Sequence, residues 1–341
     1  MYQRPSNLLR RILRFTGVLL YRLGLAKKII ALRKQAPRTL LYHAVEDHVS
    51  DYTDRLGVSV SSAMFEANLR YIRDHYNVVS VSDLHANRLP ENPLLITFDD
   101  GYKSVYDNAL PLLRKYRMPA TVYLITCAVN NQVVWVNEIN RALLCYPREA
   151  LAVCHQFPDL LELDSAPQII HEIKTSFAPS NIRELCRRIQ QVAPPEHAHD
   201  LYASREELHE MRDAGITLGF HTRDHFNLAN CDANELQRQL DPAGLEDLID
   251  PTTFAYPFGT FDATAIEALQ NRSYQTVMTV GNNNDRYFSS HLDRIELFTS
   301  DPAVVFAQLE VEEPIVSALR KLSLSIRSDR SRSQDTSLSG T

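Results

Sequence analysis

The 341-residue chain has no cysteine pair at metal-ribbon spacing. Its five cysteines, Cys127, Cys145, Cys154, Cys186 and Cys231, are odd in number and scattered. That pattern excludes a zinc ribbon and argues for thiols in a reducing compartment rather than a disulfide framework. Long hydrophobic runs are missing as well. The longest uncharged run near the N-terminus, Phe15 to Tyr21, falls far short of the roughly 20 residues of a spanning helix. No small-residue cleavage site follows it, so the expected location is cytoplasmic, peripheral at the inner membrane face. Acid is absent from residues 1–39, which hold ten Lys and Arg. That segment carries +10, and since the whole chain is −6, the remainder carries −16. So acidic a body excludes a nucleic-acid enzyme, because phosphate contacts need a basic surface. No internal repeat is visible.

The basic segment, residues 1–38, predicts an amphipathic helix over about 5–34. Leu8, Leu9, Ile12, Leu13, Phe15, Leu19, Leu20 and Leu23 alternate with Arg10, Arg11, Arg14 and Arg22. Such a helix suits an anionic membrane surface, with arginines among the headgroups. The alternatives are a helix packed on its own domain or a disordered basic arm. Beyond it, apolar runs predict strands at Thr39–Val45, Val78–Val81, Pro93–Phe98, Pro119–Ile125, Gly215–Phe220, Thr252–Tyr256, Tyr274–Val280 and Leu292–Phe298. Helical stripes lie between them, such as Phe65, Leu69, Ile72 and Tyr76. Strand and helix in alternation imply a parallel α/β sheet or barrel. Residues of about 134–212 are helix-rich and punctuated by prolines, which reads as a helical insertion and a candidate lid. The Ser-, Arg- and Asp-rich residues 323–341 read as a disordered tail.

Three strand ends carry the chemistry. Pro93–Phe98 runs into Asp99-Asp100-Gly101, Gly215–Phe220 into His221-Thr222-Arg223-Asp224-His225, and Thr252–Tyr256 into Pro257-Phe258-Gly259. Carboxyl ends of parallel strands are where α/β enzymes place their sites. Residues four apart on a helical turn share a face, so His221 and His225 can reach one ion, and Asp100 would complete a His₂-carboxylate set. Adjacent strand residues point opposite ways, so Asp99 and Asp100 reach one site only if the chain turns there. Gly101 suits such a turn.

Taken together, Thr97-Phe98-Asp99-Asp100-Gly101, His221-Thr222-x-x-His225 and Tyr256-Pro257-Phe258-Gly259 resemble the first three motifs of the polysaccharide deacetylases, the NodB-like domain of carbohydrate esterase family four. The resemblance covers roughly Thr39 to Phe298. Tyr42-His43 points to the biofilm-exopolysaccharide branch. It implies a distorted (β/α) barrel of about seven strands over 39–310, with the helical insertion between the first and second metal motifs. It further implies metal-dependent removal of the N-acetyl group from an amino sugar in a cell-surface polysaccharide or its lipid-linked precursor. Asp100, His221 and His225 would hold a divalent metal, most often Zn²⁺, and Asp99 would be the general base. The metal and the backbone near Tyr256, Pro257 and Phe258 would meet the oxyanion.

Two departures stand out. Ala255 occupies the place where the family carries an arginine that orients the base, and Arg294 in Leu292-Asp293-Arg294-Ile295 is the expected substitute. The late Leu-x-His motif that supplies the general acid is missing, leaving His43 and His291 as candidates, His43 favoured. The lone Trp135 is expected in the core or against a sugar ring. Two other functions remain: a deformylase or amidase acting on a lipid-linked modified sugar, and a degenerate barrel that only binds glycan.

Overall fold

The computed structural model describes residues 7–32, 37–196, 200–280 and 291–319. The predicted tail and the basic residues Arg4, Arg33 and Lys34 lie outside them. Seven parallel strands form the centre: β1 (Arg38–Tyr42), β2 (Pro93–Phe98), β3 (Thr121–Leu124), β4 (Thr217–Phe220), β5 (Thr253–Ala255), β6 (Thr276–Val280) and β7 (His291–Glu296). Each pairs with the next. Both β2 and β7 pair with β1, at Tyr42↔Phe98 and Leu40↔Ile295, which closes the ring into the expected (β/α) barrel.

The period-two alternation of strands sorts their side chains into two cores. Leu40, Leu94, Ile96 and Phe98 face outward into a large core beneath the helices. Leu95, Tyr123, Ala255 and Met278 face inward, with Leu292 packed against them. Gly219 makes room for this inner core, since a Cβ there would lie 2.5 Å from the Tyr123 ring. Each large side chain buried this way contributes about 1.5–3 kcal/mol.

The predicted strand at Val78–Val81 is reduced to Asn77–Val78, an outlying rung on the start of β2. The reason is local. Ser80 and Asp83 form a reciprocal capping box that starts a helix at Val81, and the two caps outweigh the β-branched propensity.

The N-terminal segment forms α1 (Asn7–Arg22) and a second helix, Ala26–Leu32, separated at Gly24, which adopts φ +74°. One face of α1 docks on the helical stretch after β7. Gly17 permits this, because a Cβ on it would lie 2.5 Å from the Ala307 Cβ. Arg14 holds the fully buried Glu312 through Nε at 2.8 Å and Nη2 at 3.1 Å, while Arg10 pairs with Glu312 and Glu313. The opposite face leaves Leu8, Ile12, Phe15, Leu19 and Leu23 exposed, Phe15 at 72%. Sequence expectation offered membrane contact and domain packing as alternatives. The helix has an apolar face for each. Among the described residues, no helix is long and apolar enough to cross a membrane.

The insertion between β3 and β4 contains α2 (Trp135–Cys145), α3 (Pro147–Cys154), α4 (Ala166–Ser176) and α5 (Pro179–Val192). Its prolines open these helices instead of breaking them: Pro147, Pro167 and Pro179 all stand in the first or second helical position. The missing N–H costs nothing there.

Candidate active site

The carboxyl ends of β2, β4 and β5 converge as the motifs predict. Asp99 still belongs to the ladder, its N–H donating to Tyr42 O at 3.0 Å. The chain then reverses at Asp100 itself (φ +71°) and at Gly101 (φ +75°), which lets both carboxylates face one space. Thr222, His225 and Phe258 also take left-handed backbone, at φ +69°, +58° and +57°. Non-glycine residues held there cost of order 1–3 kcal/mol each, and such strain gathers at functional sites.

Asp100, His221 and His225 are buried, and their ligand atoms form a small triangle. His221 Nε2 lies 3.6 Å from Asp100 Oδ1, His225 Nε2 lies 3.5 Å from it, and the two imidazole nitrogens are 3.2 Å apart. Ligands about 2.0–2.1 Å from a tetrahedral ion stand roughly 3.3–3.4 Å from one another, so the triangle has the size of a metal site. Asp100 Oδ1 has no hydrogen-bond partner among the described residues, an orphaned acceptor aimed at the centre. His221 Nδ1 donates to Ala255 O at 2.7 Å, which leaves Nε2 unprotonated and directed inward. Burial lowers the pKa of both histidines, keeping them in the neutral form that binds metals. Burial and the neighbouring Asp99 charge push the Asp100 carboxyl up to about 8. A cation in the triangle would remove that penalty.

Arg294 stands where sequence reasoning wanted a substitute arginine. Its Nη1 and Nη2 donate to Asp99 Oδ1 and Oδ2 at 2.6 and 2.7 Å, a buried bidentate pair. Burial alone would raise the Asp99 pKa. The Arg294 charge and its two hydrogen bonds outweigh it and hold the carboxyl below its usual range. Asp99 Oδ2 also faces His221 Nε2 at 3.6 Å, so the carboxylate borders the cluster.

His43 follows β1 and lies beside Asp99 in the β1–β2 register. Burial brings its pKa down to about 4, opposed by the Asp99 charge. His291 is stacked on Phe261 at 5.4 Å, on the outer side of the strand that turns Arg294 inward, so it is not brought to the cluster. The third motif divides. Phe258 sets its ring against His225 at 4.5 Å, and Pro257 fills the buried turn before it. The side chain of Tyr256 turns away from the site. Its ring is wholly buried between Phe261 at 4.6 Å and Phe254 at 5.3 Å, and its N–H donates to Met278 O. The expectation that Tyr256 meets the oxyanion is corrected: its side chain lies outside the site and its N–H is given to Met278 O. With Ala255 facing inward, the alternation of β5 sends Tyr256 outward.

Several residues of the site were not anticipated. The Trp135 indole donates to His225 O at 3.0 Å and fixes the backbone of that histidine. Asn137 donates to Tyr102 Oη at 2.8 Å and accepts from Tyr202 Oη at 2.8 Å, tying α2 to the chain just after Asp100. Arg183 of α5 reaches Asp224, between the two histidines, at 3.4 Å. The insertion is thus bonded to the metal loops. The one signal in the sequence was a tryptophan followed two residues later by an asparagine at a helix start.

Comparison with known proteins agrees with this geometry. The family model described as polysaccharide deacetylase matches residues 86–277, more than half of the chain. A Bacillus subtilis (strain 168) protein, YxkH, described as a polysaccharide deacetylase, is 23% identical over 252 residues, covering 70% of this chain and 63% of that protein. The poly-beta-1,6-N-acetyl-D-glucosamine N-deacetylase of Staphylococcus aureus (strain MSSA476) is 30% identical over 79 residues, 22% of this chain and 27% of that one. The match therefore spans less than two thirds of either relative. Among solved structures, the Streptococcus pyogenes deacetylase PplD in complex with acetate has TM-score 0.53 at 18% identity, covering 80% of this chain and 98% of its own. BA0330 of Bacillus anthracis has TM-score 0.51 at 20% identity, covering 80% and 68%. Both share the fold. The chain belongs to the polysaccharide deacetylase family.

Proposed function

We propose that the protein hydrolyses the N-acetyl amide of an amino sugar in a cell-surface polysaccharide of the poly-N-acetylglucosamine type, or in its lipid-linked precursor, with a divalent metal. The observation that carries this reading is the metal-sized triangle of Asp100, His221 and His225 beside an Asp99 clamped by Arg294. The ion, Zn²⁺ by the softness of the two imidazoles, supplies a Lewis acid and a water of lowered pKa when bound. Asp99 accepts the water's proton. Arg294 fixes its rotamer and keeps it ionised at neutral pH, as a base must be. His43 is neutral at rest. The Asp99 charge beside it favours protonation, which fits a residue that passes a proton to the leaving amine.

The test is metal analysis of the purified protein, with acetate release measured on N-acetylglucosamine oligomers and Asp99→Asn as control. Bound metal without acetate release, but with formate release from an N-formyl sugar, would move the reading to the deformylase. Oligomer binding with neither product would leave a glycan-binding module.

A second observation favours a membrane site of action on the cytoplasmic face. The exposed stripe Leu8, Ile12, Phe15, Leu19 and Leu23 lies beside the exposed cations Arg11, Arg22, Lys27 and Lys28, none of which pairs with a carboxylate among the described residues. Apolar insertion flanked by cations fits an anionic lipid surface. All five cysteines are free, as a reducing compartment would keep them. Sedimentation with anionic vesicles should fall in an Ile12→Ser, Phe15→Ser double variant. Unchanged sedimentation would remove the membrane from the proposal.

A further inference from the structure

Lys174 brings a cation from the insertion to the edge of the metal cluster. Its Nζ lies 4.5 Å from the centre of the Phe258 ring, the same ring that abuts His225 at 4.5 Å. The position is built. Asn227 Nδ2 donates to Lys174 O at 2.9 Å, and Asn230 Nδ2 donates to Lys174 O at 3.5 Å and to Phe177 O at 3.2 Å. These bonds pin the end of α4 to the loop that follows His225. The side chain is half-buried, and burial lowers its pKa, opposed by the more distant Asp100 and Glu296. Neither carboxylate is within ion-pair reach, and among the described residues no other pairs with it. Most cations of the molecule are answered differently: Arg294 by Asp99, Arg14 by Glu312, Arg183 by Asp224 and Glu235.

A half-buried ammonium with no carboxylate in ion-pair reach among the described residues is costly, and the ring face repays only part of that cost. The surroundings become more positive in the loaded enzyme. A divalent ion outweighs Asp100, Arg294 cancels Asp99, Glu296 offsets one further charge, and with Lys174 the site stays net positive. The acetamido group is neutral, so the reacting amide gives this charge no ground-state partner.

We infer that Lys174, over the face of Phe258, forms an anion subsite beside the scissile amide, which takes an N-acetylated glycan bearing a carboxylate or phosphate on or next to the reacting sugar. The inference rests on the deacetylase reading and narrows its substrate class. An anion there neutralises the lysine, and the contact of Phe258 with His225 places the charged substituent beside the Asp100, His221 and His225 cluster.

The test uses the metal-loaded full chain and three probes: neutral N-acetylglucosamine oligomers, an N-acetylated amino-uronic acid and N-acetylglucosamine 1-phosphate. Binding is read from emission of Trp135, the chain's single tryptophan, whose ring lies 6.0 Å from Phe258. Turnover is read as acetate. Charged probes are expected to bind about tenfold more tightly than neutral ones, and the advantage should shrink as salt rises. Lys174→Met should erase the advantage with neutral binding unchanged, and Lys174→Arg should retain it. Preference between the acid and the phosphate distinguishes a uronic polymer from a phosphate-linked precursor. Equal, salt-insensitive binding of charged and neutral probes would overturn the subsite, and so would a Lys174→Met variant that weakens all probes alike. Tight phosphate binding that survives Lys174→Met is metal chelation and counts against it too. If Lys174→Met does not fold, the wild-type charge ratio and its salt dependence decide. Acetate release from neutral oligomers with no anion preference sinks the subsite and spares the deacetylase. Anion-selective binding without acetate from any probe does the reverse.

Discussion

The floor and the mouth of the barrel are made from the same inward-facing positions and obey opposite rules. Along β2 the inward residues run Leu95, Thr97, Asp99; along β7 they run Leu292, Arg294. At the floor, Leu95, Tyr123, Ala255 and Met278 pack into a dry core on ordinary backbone. Four residues further along β2 and two along β7 stand ionised groups, and left-handed backbone and orphaned polar atoms gather at the same end. The floor supplies stability and the mouth consumes part of it, because apart from Asp99 and Arg294 its buried polar groups are poorly answered by one another. Changes that relieve the mouth should cost function and return stability, and changes that uncouple its one satisfied pair should lose both.

The sharpest way to break the comparison is Asp100→Asn. Metal binding and acetate release should both vanish, while the metal-free variant becomes more heat-stable than metal-free wild type. The pH dependence follows from the carboxyl's folded pKa of about 8, far above its unfolded value of roughly 3.9. Between those values the folded state holds a proton that the unfolded chain has released. Stability from this group is complete below about pH 4 and is lost as pH rises through 8. Asp99 works in the opposite sense: its depressed pKa stabilises the fold above the unfolded value and is lost as pH falls. The melting temperature of metal-free wild type should therefore drop between pH 5 and 8.5, flatten in Asp100→Asn, and recover in wild type on adding Zn²⁺. A flat wild-type profile would contradict the account.

Next in size is Arg294→Met, which leaves Asp99 buried and alone. Stripping one partner from a buried pair costs about 3–5 kcal/mol. Catalysis should fall by about 10²–10⁴-fold as Asp99 loses orientation and its pKa climbs. Chemical denaturation gives the first number. The second should come with an upward shift of the acid limb of the rate profile, which mere unfolding would not produce.

Trp135→Phe should act more gently. It keeps the ring beside Phe258 and removes one hydrogen bond to His225 O. A partner of this kind is worth about 10–100-fold in metal affinity. Competition with a zinc chelator measures it, and unchanged affinity would reduce Trp135 to a packing residue.

The order of these effects tracks how legible each residue was. Asp99, Asp100, His221 and His225 could be read because apolar strands announce their own ends, and charged groups at such ends need a reason. The barrel followed from the same runs. Arg294 sits mid-strand among ordinary residues, so only the family resemblance suggested it, and only the closed ring brings it across to Asp99. Trp135, Asn137 and Lys174 belong to helices far from the motifs in sequence. Helical periodicity explains them equally well as core and surface, and nothing local separates the readings. The Val78–Val81 strand failed where a capping box competed with propensity. Tyr256 was lost to motif reading, although strand alternation alone could have placed it.

Tyr256→Phe therefore carries the smallest expected effect and tests the boundary between mouth and outer layer. The hydroxyl is buried without a hydrogen-bond partner among the described residues, and burial pushes its pKa up. Deleting an unsatisfied polar group of this kind is neutral or stabilising, by up to about 1 kcal/mol. Acetate release should stay within about twofold and the melting temperature should hold or rise slightly, because the ring keeps its stack on Phe261. A tenfold loss of kcat with folding intact would mean that the hydroxyl reaches the reacting group after all. The outer layer would then belong to the site, and the division between a functional mouth and a structural surround would have to be redrawn at Tyr256.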